Sequence, residues 1–173
     1  MSLRIRIETA RLKLVPLDAR WRNEIFDMFN DPLIAEWLFL TGPPTLDQLD
    51  KRIEAGEEFW REHGYGVFAV LVKSDDSFVA RVGALKTPET GRIEIAWSTA
   101  RAGHGKGFAT EAAIAAIDFT FARSTLPKLD CYLRPDNSAS RRVAEKAGFR
   151  YRDTRWLYDR ILRFYELPRP AKH

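Results

Sequence analysis

The segment RAGHGKGFATEA, residues 101–112, is the most informative stretch of the chain. Gly103, Gly105 and Gly107 allow a sharp backbone turn and the close approach of a ligand. The segment follows the strand-like run RIEIAW and leads straight into a helical pattern. The first amides of a helix have no internal partners and lie at the positive end of its dipole. An anion placed there gains about 0.3–1 kcal/mol from the dipole, and about 2 when partly buried. Charge-assisted bonds from several amides add to that. Arg101 and Lys106 supply further positive charge. The chemistry that suits such a loop is the holding of a phosphate or pyrophosphate. A nucleotide P-loop does not fit, because Gly105-Lys106 is followed by Gly107 and the position five before Gly105 is Ala100. A dinucleotide fingerprint fails too, since Phe108 stands where its third glycine belongs. A surface loop without a ligand is the remaining alternative.

The elements that must position this loop are readable by period. Residues 11–17 alternate and read as a strand. Asp18 can cap a helix on which Trp21, Ile25, Met28 and Phe29 share a face, and Asn30-Asp31-Pro32 stops it. A short apolar piece covers residues 33–40. Thr45 and Gln48 match a capping box, opening a helix with Leu46, Leu49, Ile53 and Trp60 on one stripe and an end near His63-Gly64. Residues 65–73, 78–86 and 92–97 read as three strands joined by polar turns, an antiparallel meander. A helix over 107–123, a strand over 129–135, a helix over 137–147 capped by Gly148, and two closing strands (FRYRDTRW and RILRFYEL) complete the chain. The order β-α-α-β-β-β-α-β-α-β-β predicts an α+β fold around one mixed, mostly antiparallel sheet. With 173 residues and no linker or repeat, a single domain over 1–173 is expected.

Composition narrows the function classes. The net charge of +4 comes from scattered basic residues, which argues against a nucleic-acid protein more than for one. A single cysteine, Cys131, excludes an internal disulfide and a cysteine-rich metal cage; an inert buried thiol is expected there. No apolar run is long enough to cross a membrane, and the first residues lack a signal-peptide core, so the expected location is the cytoplasm. No metal site is expected.

The segment GHGKGFATEA resembles the pyrophosphate loop of the GNAT acetyltransferases, in particular the RimJ/RimL-like branch that includes ribosomal-protein N-acetyltransferases. The resemblance is carried by Gly105, Gly107, Phe108, Ala109, Thr110, Glu111 and Ala112. A second motif agrees: Asn137, Ser140, then Glu145, Lys146, Gly148 and Phe149. TARLKL, residues 9–14, is similar to the branch's first strand, and Glu94 stands where the family often has an acidic residue. The matches run in order along nearly the whole chain.

The resemblance implies a sheet whose two central strands, RIEIAW and LDCYLRP, splay into a V that takes acetyl-CoA as cosubstrate. The pantetheine arm would pair with the backbone of Ile95, Ala96 and Trp97 like an added strand. The pyrophosphate would lie on the amides of Gly105, Gly107, Phe108 and Ala109 at the start of the helix that continues with Thr110. Asn137 would bond the arm from the other side, with Ser140 beside it, and Lys106, Arg101 or Arg141 would meet phosphate. The implied reaction is acetyl transfer to a primary amine, a protein N-terminus or a small molecule, by direct attack in a ternary complex. Glu94 is the candidate base, the alternative being an ion pair with Arg92 or a neighbouring strand cation. A backbone amide near Trp97 is the candidate oxyanion donor. His104 reads as a solvated loop residue, and Trp37, Trp60 and Trp97 as core or acceptor-pocket residues. Two departures stand out: Ala102 where the family often has Gln or Arg, and Ala144 where many members place a tyrosine acid. They motivate the alternative of a CoA-binding sensor with little or no catalysis. A homodimer is left open.

Overall fold

The computed structural model describes residues 5–171; Met1–Leu3 and His173 lie outside them. One eight-stranded sheet organises the chain in the order β1-β2-β3-β4-β5-β6-β8-β7. The strands are β1 (Ile7–Glu8), β2 (Leu12–Pro16), β3 (Val67–Val72), β4 (Phe78–Lys86), β5 (Ile93–Thr99), β6 (Lys128–Leu133), β7 (Arg150–Leu157) and β8 (Arg160–Pro168). The helices are α1 (Arg22–Asn30), α2 (Pro32–Leu38), α3 (Leu46–His63), α4 (Phe108–Arg123) and α5 (Ser138–Lys146). All neighbours pair antiparallel except β5 and β6, which run parallel. The fold is α+β, as the pattern of elements predicts.

Two elements go beyond the sequence reading. β1 is two residues long, too short to show a period of two, and forms a small hairpin with β2. The apolar piece after Pro32 is a helix, α2. Asp31 ends α1 and begins α2: its side chain accepts from the Leu33 amide at 3.1 Å, and Pro32 takes the first helical position. Proline is tolerated there because its missing N–H would have had no partner. The capping box of α3 is formed on both sides, and Gly64 ends that helix in the left-handed region at φ 72°.

Three apolar clusters hold the sheet and helices together. Leu12, Phe68, Val70, Val82 and Trp60 pack with the first half of α4, whose Ala112, Ala113 and Ala116 let the helix lie close to the strands. Ile95, Leu129 and Tyr165 pack with Ile117 and Phe121 farther along α4. Ile25, Met28, Phe29, Ile34, Leu49 and Ile53 join α1, α2 and the first half of α3. On β5, Ile95 and Trp97 therefore face α4. By alternation Glu94, Ala96 and Ser98 face the opposite side of the sheet, toward α1 and α2.

Glu111 carries a structural load that explains its place in the loop motif. It accepts from the Thr9 hydroxyl at 2.6 Å, the Arg11 amide at 2.9 Å and Arg11 Nε at 2.8 Å. Arg11 in turn donates to the Lys106 carbonyl at 2.8 Å and lies over the Phe108 ring. The β1–β2 turn thus grips the start of α4. Burial pushes the Glu111 carboxyl up, but the bonds from Thr9 and Arg11 outweigh it and hold the group below its usual range. Glu111→Ala is expected to cost about 1–3 kcal/mol, a drop in Tm of roughly 3–10 °C for a chain of this size. Thermal unfolding measures it, and an unchanged Tm would mean that the clamp contributes nothing.

Candidate functional site

β5 and β6 share one backbone pairing, Glu94 with Asp130, whereas β4 and β5 share seven. Beyond that pair the two strands part. The opening holds a cleft of about 550 Å³. Its floor is the end of β5 at Trp97, Ser98 and Thr99. One wall is the glycine loop with the first turn of α4, from Gly103 to Thr110 without Lys106. The facing wall is the loop before α5 and that helix's near side: Asn137, Ser138, Ser140, Arg142, Val143 and Lys146 among them. The roof is α2, with Leu33, Ile34, Trp37 and Leu38.

The glycine loop is built to leave its amides open. Gly105 and Gly107 lie in the left-handed region, at φ 72° and 76°, where a side chain would be strained. α2, α3 and α5 each receive a side-chain cap, from Asp31, Thr45 and Asn137. α4 has none: its cap is Gly107, and the first bond of the helix is Glu111 N–H to Gly107 O at 3.1 Å. The amides of Phe108, Ala109 and Thr110 therefore have no partner among the described residues and point at the cleft end. Sixteen residues of helix stand behind them with their dipole.

The positive residues of the site differ from those the sequence suggests. Arg101 binds Asp31, at 2.6 and 2.9 Å, and does not line the cleft. Lys106 also lies outside the lining; its contribution is the carbonyl that Arg11 holds. Arg141 stands on the outer side of α5, 3.9 Å from Glu145. Arg142 and Lys146, one helical turn apart, take its place in the cleft. The i, i+4 spacing from Ser138 through Arg142 to Lys146 was the available signal, and only the phase of the helix decided it. Asn137 lines the cleft while its side-chain oxygen accepts from the Ser140 amide at 2.9 Å, which leaves its NH₂ to donate inward. Ala96 lies on the strand between buried Ile95 and cleft-lining Trp97. Trp37 belongs to the cleft and Trp60 to the core. His104 is exposed at the rim, with Nε2 2.8 Å from the Thr99 carbonyl. Cys131 is buried, and burial pushes its thiol well up, so it is inert.

Glu94 does not pair with Arg92, which binds Asp130 at 2.6 Å and Glu166 at 3.1 Å. Instead Glu94 is 7% exposed and sits beside the apex of the V, behind the cleft rather than in its lining. Its carboxyl accepts from the Thr87 hydroxyl at 2.8 Å and from the Tyr158 hydroxyl at 3.2 Å. Burial pushes its pKa up to about 7, against the lowering effect of those two bonds and of Arg81. Tyr158 was not legible as a site residue. It occupies the two-residue turn between β7 and β8 with Asp159, both at positive φ (52° and 54°). A tyrosine there is a steric outlier, and such strain gathers at functional sites. The Tyr158 hydroxyl is itself held protonated, pushed up by burial and by Glu94.

A cleft between parting parallel strands, with a helix's bare amides at its mouth and two cations on its wall, has the shape and charge to suit an extended, phosphate-bearing ligand. The chain belongs to the GNAT acetyltransferase family: residues 11–150 match the Acetyltransferase (GNAT) domain. Acetyl transfer from acetyl-CoA is the general chemistry of that family. The chain is 28% identical over 171 residues to the uncharacterized protein YkkB of Bacillus subtilis (strain 168), covering 96% of this chain and 97% of that one. An acetyltransferase structure from Agrobacterium tumefaciens str. C58 superposes with a TM-score of 0.83 at 24% identity, covering 98% and 96% of the two chains. Mycobacterium smegmatis RimJ in complex with CoA-disulfide shares the fold at a TM-score of 0.76 and 19% identity, covering 91% and 81%. Among the described residues no helix is long and apolar enough to cross a membrane, and no group of three or more His, Cys, Asp or Glu could hold a metal ion.

Proposed function

We propose that this protein transfers an acetyl group from acetyl-CoA to a primary amine, by direct attack of the amine on the thioester in a ternary complex. The observation that carries the reading is the uncapped start of α4 at the mouth of the V, where backbone amides meet the cofactor's pyrophosphate with Arg142 and Lys146 opposite. The solved RimJ complex with CoA-disulfide is a relative in fold with a coenzyme of this kind, which supports acetyl-CoA as the cosubstrate.

In this reading the backbone of Ile95, Ala96 and Trp97 aligns the pantetheine arm, and the Asn137 NH₂ steadies it from the α5 side. An amide near Trp97 donates to the oxygen of the tetrahedral intermediate. Glu94, its pKa close to neutral, accepts the amine's proton through water, because its carboxyl lies behind the cleft lining. The nitrogen–carbon bond forms, the carbon–sulfur bond breaks, and the sulfur departs as the CoA thiolate. Tyr158, protonated and donating to Glu94, positions that carboxylate. The acceptor enters from the side of α1 and α2, the face Glu94 shares.

Calorimetric titration with acetyl-CoA, followed by CoA release against a panel of amines and N-terminal peptides, tests the reading. Micromolar binding with release for some amine is the expected result. Binding without release across the panel would favour a CoA sensor, the second reading, which Ala102 and Ala144 motivate. Absence of binding would overturn both.

A further inference from the structure

The α1–α2 side of the sheet holds an arginine with no hydrogen-bonded ion pair among the described residues. Arg81 lies on β4 directly across from Ser98, so its side chain stands on the same face as Ser98 and Glu94. Its Nε is sealed from solvent with no hydrogen-bond partner, while the side chain as a whole is only partly buried. The carboxylate that acts on it is Glu94, through charge and without a hydrogen bond. Its guanidinium rests over the Phe29 ring at 5.2 Å. Across that ring Phe29 meets Phe39 edge-on, and Phe39 in turn lies under Arg52. Arg160, in the same region, also has a sealed and unpartnered Nε; its one contact is a long 3.5 Å approach to the Leu38 carbonyl. Arg160 thus reaches the end of α2, and Arg81 stands beside Ser98, whose unpartnered hydroxyl is part of the cleft floor; both arginines lie just outside the cleft lining.

Such groups are costly. The ring of Phe29 is a weaker partner for the guanidinium than a hydrogen-bonding anion would be. The strain is visible in their acidity: burial and the like charge of Arg52 push Arg81 down to about 10, and burial and Arg134 push Arg160 down. Glu94 offsets this only in part: its charge raises the Arg81 pKa, but its carboxyl is engaged by Thr87 and Tyr158. Structural arginines elsewhere in the chain behave differently. Arg22, Arg92, Arg101 and Arg155 each bind a carboxylate.

We propose that the amine acceptor carries an anionic group, a carboxylate or a phosphate, and that Arg81 is the residue that binds it, with Arg160 as a second contact. The amine end of this assignment rests on the acetyl-transfer reading; the anion site does not. The acceptor's negative group completes Arg81, and its amine reaches toward Glu94 on the same face. Polycationic acceptors are disfavoured by the same arginines.

The test is calorimetry of CoA-saturated protein with probes of equal chain length: ω-amino carboxylates, aminoalkyl phosphates and plain alkylamines. The wild type is expected to bind one anionic series at least tenfold more tightly than the plain amines, and which series wins separates carboxylate from phosphate. Arg81→Met is expected to abolish that preference while leaving CoA affinity unchanged, and Arg81→Lys to keep part of it. Without probe, Arg81→Met is expected to melt at the same or a higher temperature, since it removes an uncompensated charge. Equal binding of anionic and plain amines, an undiminished preference in Arg81→Met, a loss of CoA affinity, or a clear fall in its melting temperature would each overturn the assignment. CoA release from parallel mixtures that hold acetyl-CoA in place of CoA separates the two readings: anion-selective binding without release leaves the Arg81 site standing and removes the acetyl-transfer reading.

Discussion

Glu94→Gln is expected to lower kcat by about 10²–10⁴, the usual worth of a positioned base, with little change in acetyl-CoA affinity. Glutamine keeps the shape: its oxygen accepts from one of the two hydroxyls and its NH₂ donates to the other, so the lost function is proton transfer. The pH profile makes the assignment sharp. The base works as the carboxylate, so wild-type kcat/KM should rise with pH through a midpoint near 7, where burial has placed this group. An ordinary glutamate would give a midpoint near 4.3, and an acceptor α-amine adds an inflection near 7.7–8. In Glu94→Gln the limb near 7 should vanish. If it persists, another group titrates there and Glu94 is structural.

Stability supplies an independent reading of the same carboxyl. Its folded pKa is raised from 4.5 to about 7. The folded protein therefore holds that proton more tightly than the unfolded chain, and the resulting stabilisation is full below about 4.5 and lost as pH rises through 7. The shift corresponds to roughly 3 kcal/mol. Glu94→Gln mimics the protonated form. It should equal the wild type in stability at low pH and exceed it at pH 8, which denaturant titrations at the two values would show. A variant that is less active and more stable is the signature of a group kept for function at a cost to the fold.

Much of the fold was legible because its signals are local. Alternation marked β2 and β5, apolar runs between polar turns marked β3 and β4, the Thr45–Gln48 box marked the start of α3, and the glycines at 105 and 107 marked an open helix start. What escaped depends on partners distant in sequence. Arg101 reads as a phosphate ligand until Asp31, seventy positions earlier, captures it. Glu94 reads as a groove residue until Tyr158, sixty-four positions later, covers it. Arg81 is the charged residue inside FVARVGALK, and nothing local shows that Phe29 of α1 packs against it. Arg141 and Arg142 differ by the 100° turn of one helical residue, which a sequence resolves only when both helix ends are known. The pairing of Glu94 with Asp130, between strands far apart in the chain, sets the site, and no short-range pattern encodes it.

Gly107→Glu is expected to remove acetyl-CoA binding, with a loss of roughly 10²–10³ or more in affinity, since like charges set face to face cost several kcal/mol. Two effects combine at this position. Gly107 caps α4 at φ 76°, where a side chain costs about 1–2 kcal/mol. Its added Cβ would meet Arg11 Nη2 at 3.4 Å, ordinary contact that a small shift absorbs. The carboxylate would then lie where the bare amides of Phe108, Ala109 and Thr110 await an anion, satisfying them itself and repelling the pyrophosphate. Gly107→Ala shares the backbone strain without the charge, so it should lose about 1–2 kcal/mol of stability and keep most of the affinity. Calorimetry on the two variants, each first shown to be folded by circular dichroism, separates the effects. Binding lost in the glutamate and retained in the alanine variant places the phosphates on the α4 amides. Equal retention in both would mean that the coenzyme's anions lie elsewhere, with Arg142 and Lys146 the next residues to replace.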